Sequence, residues 1–352
     1  MNKYAVIAPS SMGIRLTPLY RQPVHTSEHF VLKATSAETN VLSIPAALGM
    51  NVMVLTKFVK DSPVATIIKR DLRARGIKYE GAEVEQGGAW GYRHQINIAD
   101  SGYGLRGPRV WNDRSGEVGL TMNIDEFDIE QIFGRDGSDY LHLSGLICAL
   151  SSETGRFCLE LARAARKYGT KISFDLNYRA SFWKNREREL REIFSEIASV
   201  SDVLIGNEED FQLALGLPGP DAGGSDIEGK ISGFKEMISG AQNVYPNVKT
   251  FATTLRQVIS ANKHLWGALL YTEGSWHIEQ PRAIEVFDRI GGGDAFVGGL
   301  LYALCKGLDA EKCLQLAWAS GTLAATMIED YAFPADEEQL WSIYGGNARV
   351  KR

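Results

Sequence analysis

The residues best suited to chemistry form one run, Asp288-Arg289-Ile290-Gly291-Gly292-Gly293-Asp294-Ala295-Phe296. A small-residue, apolar stretch without proline follows it, from Val297 to Leu304, so the run predicts a turn opening a buried helix. Glycines have no Cβ to keep a ligand off the backbone. The first turn of a helix leaves N–H groups unpaired and carries partial positive charge, which attracts an anion. A carboxylate beside such a site, Asp294, can take the proton of an attacking hydroxyl while the amides of Gly291, Gly292 and Gly293 hold a phosphoryl group. On these residues alone, an aspartate that merely caps a helix is an equally good reading. A dinucleotide fingerprint is a poorer one, because Gly-x-Gly-x-x-Gly from Gly291 needs glycine where Phe296 stands.

Other candidates lie upstream. Phe174-Asp175-Leu176-Asn177-Tyr178-Arg179 follows an apolar run, and side chains at the C-terminal ends of parallel strands face the ligand crevice. Arg179 there could grip a carboxylate in a forked pair or form a structural bridge to Asp175. His142-Leu143-Ser144-Gly145 ends another such run, with His142 read as a packed core residue. Asn207-Glu208-Glu209-Asp210 opens a helix and, by itself, reads as capping. Arg106, Arg109 and Arg114 sit among Trp90, Tyr92, Tyr103 and Trp111, a grouping suited to an anionic substrate. Gly224 to Ile231 nearly spells a phosphate-binding P-loop, but Ile231 replaces the hydroxyl residue and no apolar strand precedes it, so it reads as a surface loop.

The elements that must position these residues alternate. Tyr4–Ala8 reads as a buried strand, Ala37–Leu48 as a helix, Val52–Phe58 as a strand, and Ser62-Pro63 as a helix start. From Asp139 onward, strands at Tyr140–Leu143, Lys171–Leu176, Val203–Ile205, Phe251–Thr254 and Leu265–Tyr271 alternate with helices at Ser152–Tyr168, Glu187–Ala198 and Glu208–Leu215. Helices over Ala310–Met327 and Ala335–Tyr344 close the chain, and Gly216–Gly233 reads as a loop. This is the pattern of an α/β fold with a mostly parallel sheet. Two stretches break it, about residues 12–33 and 88–114, and read as exposed pieces of an outlying β lid over a site. The 352 residues carry a net charge of −5, so there is no basic footprint for nucleic acid. No stretch approaches a transmembrane span, and the N-terminal apolar run is too short for a signal peptide. Four cysteines without metal spacing, Cys305 and Cys313 among them read as buried thiols, predict a reducing cytoplasm.

Asp288, Gly291–Gly293, Asp294 and Phe296 resemble, position by position, the C-terminal signature of the ribokinase-like (PfkB) sugar kinases. His142–Leu146, Asp175–Arg179 and Arg109–Arg114 narrow the likeness to the 2-keto-3-deoxygluconate kinase branch. The resemblance implies a single ribokinase-like three-layer domain over 1–352, with a small β-sheet lid, transferring the γ-phosphate of ATP to a primary hydroxyl of a sugar acid. It implies Asp294 as base and Gly291–Gly293 as anion hole. Arg114, Arg179, Ser36, Asn40, Tyr92 and Asn112 would meet the sugar, and Asn207 and Thr254 the nucleotide. Mg²⁺ would be met indirectly by Asn207 and Asp210, and a monovalent cation such as K⁺ by Asp288, as in some relatives. Pairing of lids would make a homodimer. The chain departs from the pattern where Thr35-Ser36 replaces a glycine pair, where Asn112 replaces an aromatic, and where no Gly-x-x-Gly follows Thr254-Leu255-Arg256. The exact sugar therefore stays open, with a neutral ketohexose or another deoxy-ketoacid as alternatives. A sugar-binding regulator without turnover is a rival of another class, but it would have no need of a base.

Overall fold

The computed structural model describes residues 3–219 and 227–349. Nine strands form the main sheet and four a smaller one. The strands are β1 (Tyr4–Pro9), β2 (Gly13–Pro18), β3 (Phe30–Thr35), β4 (Val52–Val59), β5 (Lys78–Val84), β6 (Gln95–Asp100), β7 (Arg109–Asp113), β8 (Ser138–Ser144), β9 (Lys171–Asp175), β10 (Val203–Ile205), β11 (Thr250–Ser260), β12 (Lys263–Thr272) and β13 (Ser275–Glu285). The α-helices are α1 (Ala37–Ala47), α2 (Pro63–Ala74), α3 (Gly145–Leu150), α4 (Ser152–Lys167), α5 (Ala180–Trp183), α6 (Glu187–Ala198), α7 (Glu208–Leu215), α8 (Ile227–Val244), α9 (Gly292–Cys305), α10 (Ala310–Ala324) and α11 (Glu337–Tyr344).

The large sheet runs β13-β12-β11-β10-β9-β8-β1-β4-β5. From β11 to β5 every pairing is parallel, while β12 and β13 add antiparallel at one edge. Central parallel strands are covered on both faces and so read as unbroken apolar runs; all eight residues of β4 are buried. One apolar layer packs α3, α4, α6, α7 and α8 on one face of the sheet. The other packs α1, α2, α9, α10 and α11 on the opposite face. Helix starts follow capping chemistry: Ser62 accepts from the Ala65 N–H, and Ser151 and Thr154 form a reciprocal capping box. Helix α9 is buried nearly all round, and Gly298 lets α1 approach, since a Cβ there would come within 2.5 Å of the Val41 carbonyl.

The small sheet has the order β3-β2-β6-β7 and is built from the two stretches that break the alternation. Its inner strand differs from expectation. Residues 12–33 read as exposed, yet Ile14, Arg15 and Thr17 are buried, because β2 lies against the main body. Two edge strands escape the sequence reading, β5 and β13. The loop expected over Gly216–Gly233 is helix α8 from Ile227 on. The near P-loop thus runs into that helix, and its first residues lie outside those described. Within the 88–114 stretch, strand β6 starts at Gln95. Cys305 is half-buried rather than buried.

Candidate active site

Asp294 lies in the first turn of α9. Asn40 of α1 donates from Nδ2 to Asp294 Oδ2 at 2.8 Å. The carboxyl group is pushed up to about 7, first by burial and then by the negative charges of Asp330 and Glu38; the Asn40 hydrogen bond and Arg179 pull the other way. A carboxyl group poised there is half-ionised near neutral pH, the range that suits a general base.

The three glycines before it are not equivalent. Gly291 has a left-handed backbone, φ 81°, and a Cβ there would lie 1.7 Å from the Asp330 carbonyl, so the turn itself requires glycine. Gly292 and Gly293 have no such need. A Cβ on Gly292 would meet only the Gly321 carbonyl at 3.7 Å, and one on Gly293 would meet nothing within 4 Å. The protein leaves open space over the first N–H groups of α9, which fits a phosphoryl group held by those amides.

Toward the small sheet, Ser11, Ser36, Glu38, Gln95 and Arg114 line one small pocket. Ser36 caps α1 by accepting from the Thr39 N–H at 3.2 Å. Glu38 is buried and accepts from the hydroxyls of Ser10, at 2.6 Å, and Ser144. Burial raises its pKa, although these two hydrogen bonds oppose the shift. Arg114 stacks over Phe182 and donates from Nη1 to both oxygens of the buried Glu117, each at 3.0 Å. Its buried Nε has no hydrogen-bond partner. Tyr92 and Asn112 do not line this pocket. Tyr92 is exposed, and Asn112 sits on the exposed strand β7 opposite Asn97.

On the other side, Arg179 follows β9 and makes one hydrogen bond, to the Tyr178 carbonyl at 2.8 Å. It forms no bridge to Asp175, whose carboxylate instead takes the Asn177 N–H at 3.2 Å. Arg179 acts electrostatically on Asp175, Asp210 and Asp294 together. Asn207 and Asp210 form a reciprocal capping box at the start of α7. Both Asp210 oxygens are taken by backbone N–H groups, of Tyr178 and Asn207, each at 2.8 Å. Thr254 is a half-buried residue of β11, opposite Ala268. His142 is a core residue, with burial holding its ring down to about 3.

Asp288 is fully buried. Its Oδ2 accepts from Arg15 Nη2 of β2 at 2.6 Å and from the Ser101 hydroxyl at 3.0 Å, and its Oδ1 from the Ile290 N–H at 3.0 Å. Three residues that sequence reasoning assigned no role stand at this site: Arg15, Glu38 and Asp330. Asp330 accepts from the Thr35 hydroxyl and carries the carbonyl against which Gly291 packs. Glu38 had a signal, since it lies between Ser36 and Asn40 in the stretch matched to the family. Arg15 and Asp330 had none.

The pattern of the pfkB family carbohydrate kinases matches residues 136–335. The 2-dehydro-3-deoxygalactonokinase of Haloferax volcanii is 26% identical over 340 residues, covering 96% of each chain. The crystal structure of 2-dehydro-3-deoxygluconokinase from Thermotoga maritima superposes with a TM-score of 0.88 at 27% identity, over 97% of this chain and all of that one. A likeness of fold alone, at 18% identity and a TM-score of 0.75, links 98% of this chain to all of a ribokinase-like protein from E. coli in complex with ATP and Mg²⁺. With the glycine run, the aspartate and the three-layer architecture in place, the chain belongs to the pfkB family of carbohydrate kinases.

Proposed function

We propose that the protein phosphorylates the primary hydroxyl of a 2-keto-3-deoxy sugar acid, with ATP as donor and 2-keto-3-deoxygluconate as substrate. The observation that carries this reading is the meeting of three things: Asp294, a base near neutrality; open space over Gly292 and Gly293; and the Arg179 guanidinium, which has no carboxylate partner among the described residues. Asp294, oriented by Asn40, takes the hydroxyl proton as the oxygen attacks the γ-phosphorus. The amides of Gly291–Gly293 hold the transferring group as charge develops on it. Arg179 meets the substrate carboxylate. Arg114 is a weaker partner for it, because Glu117 already balances its charge; Nε is the donor left over. The names of the relatives support a keto-deoxy acid: 2-dehydro-3-deoxygluconate and 2-dehydro-3-deoxygalactonate, which differ at one stereocentre, and 5-dehydro-2-deoxygluconate, whose keto and deoxy positions differ.

Magnesium, when bound with the nucleotide, offsets phosphate charge. Among the described residues no cluster of three or more His, Cys, Asp or Glu could hold a metal, so the ion would rest on the phosphates and water. Asp210, with both oxygens engaged, would reach it only through water, and Asn207 would offer its Nδ2 to the phosphates. Potassium at Asp288 fits less well, since it would share a carboxylate that Arg15 already holds. Four free thiols support a cytoplasmic setting. The small sheet is read as the lid of a single kinase domain, and its exposed Val110 and Trp111 support pairing with the lid of a second copy.

The test is ADP release across sugar acids and neutral sugars, repeated with Arg114→Ala and Arg179→Ala. Hydrogen bonds to charged groups contribute roughly 1.5–3 kcal/mol, so losing one should lower kcat/KM on the keto-deoxy acid by about ten- to a hundredfold. A neutral hexose should lose much less. Equal losses on both would reduce the assignment to an unspecified sugar kinase.

A further inference from the structure

Strand β2 brings a buried cation to the turn ahead of the glycine run. Arg15, its third residue, is 3% exposed, and its Nη2 lies 2.6 Å from Oδ2 of Asp288, which is fully buried. Nε and Nη1 of Arg15 make no hydrogen bond, so among the described residues the guanidinium is committed to that one carboxylate. The other oxygen of Asp288 accepts the Ile290 N–H at 3.0 Å and so shapes the backbone that enters Gly291. The carboxylate is thus part of the turn that presents the first amides of α9. A bare negative charge there would oppose an anion at those amides, and the guanidinium cancels it.

A monovalent metal ion is the alternative counter-charge for Asp288, and the donor set does not fit one. Such an ion exchanges its water shell for several carbonyl or carboxylate oxygens. Here the oxygens around Asp288 already accept hydrogen bonds from the protein or donate to it. Arg21 donates to the carbonyls of Gly102 at 3.0 Å, Val286 at 3.1 Å and Ser101 at 3.5 Å. The Ala325 carbonyl takes the N–H groups of Phe287, at 2.7 Å, and Asp288, at 3.3 Å. The Ser101 hydroxyl donates to Asp288 itself at 3.0 Å. Tyr20 and Arg21 hold left-handed backbones, φ 55° and 58°, a strained arrangement that delivers the second guanidinium to this place. The charge of Asp288 is felt at Arg21 as well. A metal cation would enter beside one buried guanidinium and near another, leaving a single carboxylate among three positive charges.

We propose that Arg15 is the built-in counter-ion of the glycine turn, so that phosphoryl transfer by this protein needs no monovalent metal cation. This rests on the kinase reading. The measurement is kcat/KM and melting temperature of wild type, Arg15→Ala and Arg15→Lys at fixed ionic strength in choline, sodium or potassium chloride, with and without millimolar guanidinium. Wild type should turn over sugar at the same rate in all three salts, and its melting temperature should not depend on the cation. Arg15→Ala in choline should lose roughly a hundredfold in kcat/KM, because Asp288 then faces the anion site unbalanced. Potassium or guanidinium should restore part of that loss and raise the melting temperature of the variant, since either can supply the missing charge in the space the side chain leaves. Lysine at 15 should keep activity in choline. A wild type that needs potassium overturns the proposal. So does a folded Arg15→Ala whose loss is the same in every salt and with guanidinium, because Arg15 is then only a tie between the small sheet and the turn. Should Arg15→Ala fail to fold, the wild-type salt series and Arg15→Lys decide it. A wild type without turnover in any salt would sink the kinase reading, while its melting temperature in the three salts would still judge whether a metal cation binds at Asp288.

Discussion

As the proposed base, Asp294 must be ionised to act, in a place that favours its neutral form. With its carboxyl at about 7, kcat/KM should fall about tenfold for each pH unit below that value and level off above it. Asp294→Asn should lose ~10²–10⁴ in rate at pH 8. Its effect on stability should have the opposite sign. A raised folded pKa contributes stability fully below the ordinary 3.8, and that contribution drains away as pH rises to about 7. The variant carries no charge to bury, so it should melt above wild type at pH 8, with the gap closing toward pH 4. A variant melting below wild type at pH 8 would mean that the ionised carboxylate is stabilised by something not described above. Asp294 was legible because it and its glycines are consecutive in the chain. Asp330 and Arg15 were not, because their partners Thr35 and Asp288 lie 295 and 273 residues away, and no local pattern marks such a pairing.

On the proposed reading, the turn into α9 separates folding from function within three glycines. Gly291→Ala forces a Cβ onto the Asp330 backbone at a left-handed position, so it should destabilise strongly, by ~1–3 kcal/mol or more. Gly293→Ala meets no protein atom and gains helix propensity, about 1 kcal/mol. Its stability in denaturant should hold or rise while kcat/KM falls, because the methyl group occupies the space left for phosphate. Unchanged turnover in Gly293→Ala would make that space incidental. Most elements were legible from apolar runs and caps, with Glu187–Ala198 and Val203–Ile205 matching to the residue. The misses have physical causes. Strand β5 reads Lys-Tyr-Glu-Gly-Ala-Glu-Val, an edge strand with charges on its open face, which looks polar to any test of hydrophobic periodicity. Helix α8 carries three glycines, which read as loop until tertiary packing of Phe234, Met237 and Ile238 overrides their propensity.

At the scale of the whole molecule, the small sheet presents an unpaired edge at β7 with Val110 and Trp111 about half and three-quarters exposed, at 52% and 72%. A sheet edge with apolar side chains is a template for another strand. Sedimentation of the purified protein should therefore give a dimer, and Val110→Lys with Trp111→Glu should give a monomer; a monomeric wild type would end the lid-pairing reading.

The Arg15–Asp288 pair has a consequence of another kind. It joins β2 of the small sheet to the residue three places before the glycine run, in a setting where neither partner touches solvent. Removing one charge of such a pair would strand the other, so the small sheet and the turn into α9 are tied together at this point. If, as proposed, the sheet meets the sugar and the turn meets the phosphates, any coupling between the two ends through this pair is a free energy and is reciprocal. By whatever factor the sugar tightens the nucleotide, the nucleotide must tighten the sugar by the same factor.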